Sequence, residues 1–278
     1  MAKQSTSEPT DVHAEPLKGR SYKTLFRAHE EENLVYPDSV EVDFERSAEF
    51  DAAEMETSAI NVRIRELLGE GHGHIIVRNP GAKHSLGVGL LNRLNLEFDG
   101  SLGYFGVGLN DGPNIRIRGR VGWSCGENMM AGTIVVEKNA GSSFGAAIRG
   151  GDLVCRGDVG ARTGINQKGG TIIVGGRTGM LSAFMMQRGR MIILGDADEN
   201  LGDSMYDGII YVGGEIASLG IDAVPGEMTD HEVAWLEHKL DLYGLKAPKG
   251  AANLQKIVSG KQLWNYDNLE PTEKKIIL

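Results

Sequence analysis

Five carboxylates crowd the segment GDADENLGDSMYDG, namely Asp196, Asp198, Glu199, Asp203 and Asp207. Oxygen ligands at that density could hold calcium, but their spacing fits neither the twelve-residue calcium loop nor the nonapeptide roll, so they read as solvated bends. His72 and His74 form an HxH pair that could offer two imidazoles to a metal, yet Gly71 and Gly73 around them suggest a loop. Cys125 and Cys155 read as small buried hydrophobes. Glycine strings such as GVGLNDG and GGRTG invite a phosphate-loop reading. That chemistry needs the last glycine to open a helix, and here each string leads into another strand pattern. Arg149, Lys168 and Gln187 fall in one column of a repeat, with Arg188 beside them and Arg162 nearby. Such a column either meets an anionic cofactor or a partner's carboxylates, or is a solvated ladder.

The repeat is what positions all of these residues. Beginning at Ile75, Leu94, Pro113, Gly132, Gly151, Gly170, Gly189 and Gly208, the chain recurs every 19 residues with no insertion allowed. The first column is glycine in the last five turns. The seventh holds Gly81, Gly100, Gly119, Gly157, Gly176, Gly195 and Gly214, broken only by Lys138, and the tenth holds Gly103, Gly122, Gly141, Gly160 and Gly179. The third position is apolar throughout (Val77, Leu96, Ile115 onward to Ile210), as is the fifth except at Asn79. Five residues of period-two alternation bounded by glycine are a short strand between bends that need positive φ or close backbone approach. One such unit cannot bury its apolar face alone and must stack on its copies. The repeat therefore predicts an all-β, right-handed parallel β-helix, a solenoid of about eight 19-residue turns spanning roughly 35 Å at roughly 4.8 Å per turn.

The fourth column points away from the core. It begins Arg78, Glu97 and Arg116, then turns apolar at Val135, Val154, Ile173, Ile192 and Tyr211. A stacked apolar stripe must be covered, either by a C-terminal helix or by a neighbouring subunit, so these five are interface candidates. Met129, Met186 and Met205 share the seventeenth column, with Met130 and Met185 adjacent, and should fill one interior corner.

Residues 1–20 read as a flexible arm and 21–74 as an N-terminal cap region, with a strand near Val40 to Phe44. A helix at about 58–69 buries Ile60, Ile64, Leu67 and Leu68, is capped by Thr57 or Ser58 and is stopped by Gly69. The β-helix itself spans 75–222. In the extension 223–278, Thr229 to Glu232 form a capping box before Val233, Leu236, Leu240 and Tyr243, and Gly244 ends that helix. A third helix runs from Asn253 to Val258, and a docking tail carries Trp264, Tyr266 and the closing Ile276, Ile277 and Leu278.

Of 278 residues 39 are glycine, about twice the usual ~7%. Net charge is −9 with no block of Lys or Arg, which disfavours nucleic acid and acidic membranes. No apolar run approaches the ~20 residues that span a bilayer, and the N-terminus lacks the apolar core of a secretory signal, so a cytoplasmic location is expected.

The segment from Gly119 to Gly214, with WSCGENMMAGTIVVEKNAG, GDVGARTGINQKGGTIIVGG and FMMQRGRMIILGDADENLGDSMYDGIIYVGG, resembles the GXGXG β-helix domain that closes the large subunit of glutamate synthase, and more closely its stand-alone subunit form. In that family an N-terminal cysteine releases ammonia from glutamine, and a barrel domain carries FMN and an iron–sulfur cluster. This chain has no cysteine before Cys125 and too few for a cluster. The resemblance therefore implies a non-catalytic assembly subunit with no cofactor of its own, FMN and the cluster lying in partners. Its partners would be an amidotransferase-like subunit and an FMN-binding subunit, and N-methylglutamate synthase is the system it suggests. Alternatives are the β-helix subunit of an ordinary glutamate synthase or of a formylmethanofuran dehydrogenase or formyltransferase complex. A different class, an independent carbohydrate-active β-helix enzyme, would place carboxylates along the outside of a strand.

Overall fold

The computed structural model describes residues 40–260. Strand β1 (Asp43–Asp51) and helix α1 (Thr57–Gly69) lead into eight short strands: β2 (His72–Arg78), β3 (Asn95–Asp99), β4 (Asp111–Ile117), β5 (Ala131–Val136), β6 (Asp152–Cys155), β7 (Lys168–Val174), β8 (Arg188–Ile193) and β9 (Ile209–Val212). From β1 to β9 every neighbour pairs in parallel, as a solenoid requires. The chain closes with β10 (Ala223–Gly226), helix α2 (Asp230–Asp241) and β11 (Gln255–Ser259), the last pairing antiparallel to both β9 and β10.

From β3 onward the register follows the 19-residue repeat: Leu96 lies opposite Ile115, Ile115 opposite Ile134, and so on to Met191 opposite Ile210. The first turn differs. Ile75, not Val77, lies opposite Leu96, and Val77 lies opposite Phe98, so this turn is two residues longer. The correction removes the anomaly at Asn79 and moves Arg78 out of the fourth column, where Ile76 stands opposite Glu97. Both inward columns are then apolar without exception, and they are buried in every turn.

Two glycine columns serve different ends. The first-column glycines take left-handed backbone, with φ of 97° at Gly132, 78° at Gly151 and 103° at Gly208. Among the seventh-column glycines only Gly81 and Gly100 have positive φ. The rest are required by close approach. Asn139, Asp158 and Asp196 each accept the N–H of the residue one turn on, at 3.3, 3.0 and 2.8 Å. Those side-chain oxygens occupy the space that a Cβ at Gly157, Gly176 or Gly214 would need. Further round the turn, left-handed residues recur at every second position, as in Ser124, Gly126 and Asn128. Their N–H groups bond alternately to the next turn and the preceding one (Ser124 to Ser142, Gly126 to Gly106, Asn128 to Ala146), which carries the ladder through the bend.

Helix α1 adds Ile60, Ile64, Leu67 and Leu68 to the same core as Ile75 and Leu86. Glu56 precedes it with no side-chain cap, so neither Thr57 nor Ser58 has the expected role, and the left-handed residue after it is Gly71 rather than Gly69. His72 and His74 lie in β2, not in a loop, because Gly73 lets β1 pass close by: a Cβ there would be 2.5 Å from Asp43 O. The expected helix at 253–258 is a single 3-10 turn (Ala251–Asn253) followed by β11. The free edge of β9 and the β-branched Ile257 and Val258 favour a strand there. The flexible arm at 1–20 and the docking tail from Gln262 lie outside the described residues. No helix among the described residues is long and apolar enough to cross a membrane.

Replacing Gly176 by valine should destabilise the chain by about 1–3 kcal/mol through overpacking against Asp158 and the Gly157 backbone. Lys138→Ala, at the exposed exception in the same column, should stay within about 0.5 kcal/mol. Urea unfolding of the two variants checks this, and equal losses would contradict the packing.

Candidate functional site

The outer face of the sheet is the surface on which side chains are set at fixed spacing, and it changes character along the solenoid. Over β6 to β9 its central column is Val154, Ile173, Ile192 and Tyr211, all fully buried, with Val135 half-buried at the margin. The cover is supplied by this chain. Leu236 and Leu240 of α2, with Ala251 and Leu254 beyond it, complete a second apolar core, against which Val233, Trp235 and Tyr243 pack. Of the two covers open from the sequence, the chain's own helix occupies the stripe.

Polar clamps fix the margins of this cover. Thr229 caps α2 through a capping box, in which Glu232 N donates to Thr229 Oγ1 at 3.3 Å and Thr229 N to Glu232 Oε2 at 3.0 Å. Glu232 also accepts from Tyr211 Oη at 2.8 Å and pairs with Lys256 at 2.8 Å. Burial works to raise the Glu232 pKa, but Lys256, Thr229 and Tyr211 outweigh it and hold the carboxyl at about 2. At the other end Asp152 receives both Lys239, at 2.8 Å, and the Tyr243 hydroxyl. Burial and the Asp152 charge push the Tyr243 hydroxyl well above the ordinary tyrosine range. Arg190 lies 4.6 Å over the Trp235 ring, a cation–π contact.

Beyond the end of α2 no described element covers the same face, and it is polar. Here a groove of about 590 Å³ runs along the first strands, between Asn95, Asn114 and Thr133 on one side and Leu242 and Tyr243 at the helix end. Asn114 donates to Asn95 at 3.2 Å. Its carboxylates are engaged: Glu97 with Arg118, and Glu137 with Arg116 at 2.8 Å and Arg156 at 2.9 Å, the latter an ion pair without hydrogen-bond alignment. Paired glycosidic chemistry needs one carboxyl free to carry a proton. Both carboxylates lining this groove already face guanidinium groups.

The remaining candidates resolve into structural roles. Asp196, Asp198, Asp203 and Asp207 accept backbone N–H groups at the bends, from Glu215, Glu199, Ile221 and Gly208. No group of three His, Cys, Asp or Glu that could hold a metal occurs among the described residues. Cys125 and Cys155 are buried and unbridged. Burial pushes the Cys125 thiol far up and Cys155 to about 12, which suppresses thiolate chemistry. Met129, Met186 and Met205 are fully buried in the interior. Lys168 and Arg188 open β7 and β8, Arg149 lies three residues before β6, Gln187 bonds Asn166 at 2.7 Å, and Arg162 lies in the left-handed bend.

One feature escaped the sequence reading. His84, Tyr104 and Trp123 stack ring on ring, with centroids 4.7 and 5.3 Å apart. Tyr104 and Trp123 are exposed, and each ring leans over a tenth-column glycine of the next turn. The signal was present as aromatic residues about one repeat apart beside that glycine column.

A protein-family profile described as GXGXG motif matches residues 72–234, more than half of the chain. Protein GlxC of Rhizobium meliloti (strain 1021) is similar over 60 residues at 37% identity, a stretch that is 22% of this chain and 26% of that protein. The chain thus spans about a quarter of the length of this relative.

Ile173→Asp should destabilise the isolated chain by about 3–5 kcal/mol, since it removes buried apolar surface and leaves a carboxylate unpaired under α2. A folded, wild-type-stable Ile173→Asp chain would show that the helix does not cover the stripe. Glu232 has a folded pKa below its unfolded value, so its contribution is complete above pH ~4.5 and disappears as pH falls toward ~2. Glu232→Gln should remove that part of the acid-unfolding profile, which unfolding free energies measured across this range would reveal.

Proposed function

The chain belongs to the GXGXG motif family, the glutamate synthase-type domain, and on that premise we propose that it is the assembly subunit of a multi-subunit, FMN-dependent, glutamate-synthase-like enzyme. In this reading it joins an amidotransferase-like subunit to an FMN-binding subunit and holds their active sites in fixed relation. The complex we assign is N-methylglutamate synthase, which converts methylamine and L-glutamate to N-methyl-L-glutamate and ammonia.

The observation that carries this reading is the way the chain disposes of its own chemistry. Its interior is filled with apolar side chains, its thiols are buried, and the carboxylates on its outer face are held by guanidinium groups or by the clamps of α2. A rigid solenoid so arranged acts through its surfaces, and repeat architectures characteristically do so. Two cysteines in the whole sequence, both in the apolar interior, do not make a cluster-ligating set, which favours an iron–sulfur cluster in a partner. The FMN and the ammonia-releasing step belong to partner chains in the same way.

The isolated chain should be colourless, should not hydrolyse glutamine, and should release no ammonia from glutamate with methylamine. Purification from the native source should instead yield a yellow complex with two further chains that forms N-methylglutamate from methylamine and glutamate. Stoichiometric FMN on the single purified chain, or activity of that chain alone, would overturn the reading.

A further inference from the structure

The chain neutralises most cations on its sheet face with its own carboxylates. Arg78 pairs with Glu49 and Asp99, Arg118 with Glu97, Arg116 and Arg156 with Glu137, and Lys239 with Asp152. Arg149, Lys168 and Arg188 depart from this rule. Lys168 and Arg188 open β7 and β8 and lie directly opposite each other in register, and Arg149 stands three residues before β6, where the bond from Lys168 N to Ile148 O places it beside Lys168. Arg149 and Arg188 are exposed, Lys168 is half-buried, and none of them makes an ion pair among the described residues. The nearby carboxylates are committed: Asp152 to Lys239 and Tyr243, and Asp207 to Gly208 N at 2.7 Å.

Three like charges stacked at roughly 4.8 Å intervals repel one another. In a chain of net charge −9 this is a local reversal of the overall field. Each cation is followed by glycine (Gly150 and Gly151, Gly169 and Gly170, Gly189), so the residue next in sequence adds no side chain beside it. The cations form a line along the solenoid and do not converge on a point, and the groove and the other main cavities are lined by other residues. A small anion needs convergent donors, whereas a line of cations fits a series of carboxylates on a chain. Nucleic acid tracks a broad basic surface, which a chain of net charge −9 with three aligned cations does not supply, whereas a short acidic segment needs only the ridge itself.

We propose that the ridge of Arg149, Lys168 and Arg188 is a docking edge for an acidic segment of a partner protein. The inference rests on the reading of this chain as a subunit of a larger assembly.

Zero-length carbodiimide cross-linking of the native assembly reads the contact directly, because it joins an ammonium and a carboxylate only where they touch. Lys168 should be found linked to an Asp or Glu of another chain. The double variant Arg149→Glu/Arg188→Glu should weaken assembly about tenfold or more at low ionic strength, with the difference shrinking as salt is added. Arg149→Lys/Arg188→Lys should assemble as the wild type does, which separates lost charge from lost fold. Lys168 left unlinked, or linked only within its own chain, would overturn the proposal, as would wild-type assembly of the charge-reversed variant. Tighter binding of an oligonucleotide than of poly-L-glutamate by the full chain would overturn it as well. Should the chain purify without any partner, the functional reading fails and the docking edge with it; an intact assembly with Lys168 unlinked removes the docking edge alone.

Discussion

Everything in this molecule follows from the separation between successive turns, which main-chain hydrogen bonding fixes at roughly 4.8 Å. At that spacing identical positions lie one above another, and each column must hold residues compatible with their own neighbours. Where the oxygen of Asp158 bonds Arg177 N at 3.0 Å, the residue beside that bond, Gly176, has no room for a Cβ. Where Met129 and Met186 turn into the interior, Gly151 and Gly208 leave space for their methyl ends and take the left-handed backbone that the chain needs there. The glycine content thus arises from packing between turns and not from loop flexibility.

The same stacking makes the outer face a set of stripes, and the sequence divides it in two. Its apolar half would be an exposed sheet surface, and α2 closes it with Leu236 and Leu240 between two polar clamps, Glu232 with Lys256 and Tyr211, and Asp152 with Lys239 and Tyr243. Its polar half is covered by no described element and is paired within itself. Among the described residues, two further features face outward at the edges and bends: the cation ridge of Arg149, Lys168 and Arg188, and the ring stack of His84, Tyr104 and Trp123. That distribution suits a molecule whose contribution is to hold others in place.

The period, the two inward columns and the capping box at Thr229 were legible in the sequence because each is a local rule repeated or a short motif. The two extra residues in the first turn were not. A shift of two preserves the alternation of inward and outward side chains, so Val77 and Ile75 are equally good candidates for the core, and Gly81 falsely completed a column in which Asn79 lies nearer Gly100 in register. The strand at Gln255–Ser259 was missed because it is created by the vacant edge of β9, a partner 43 residues earlier in the first register pair, Gln255 with Val212. The histidines of β2 read as loop residues from sequence for the same reason, since the passage of β1 beside Gly73 is what explains a glycine within that strand. For the apolar stripe, the sequence indicated that a cover was needed, and only the packing of α2 identified it.

Hydrogen exchange on the isolated chain tests the central claim, that the solenoid and its helical cover are one self-sufficient scaffold. The amides of β6 to β9 and those in the middle of α2 should exchange together, at the rate of global unfolding. If α2 exchanged like a free peptide while the strands stayed protected, the helix would not be an integral cover. The apolar stripe of Val154, Ile173, Ile192 and Tyr211 would then need a partner, contrary to this account.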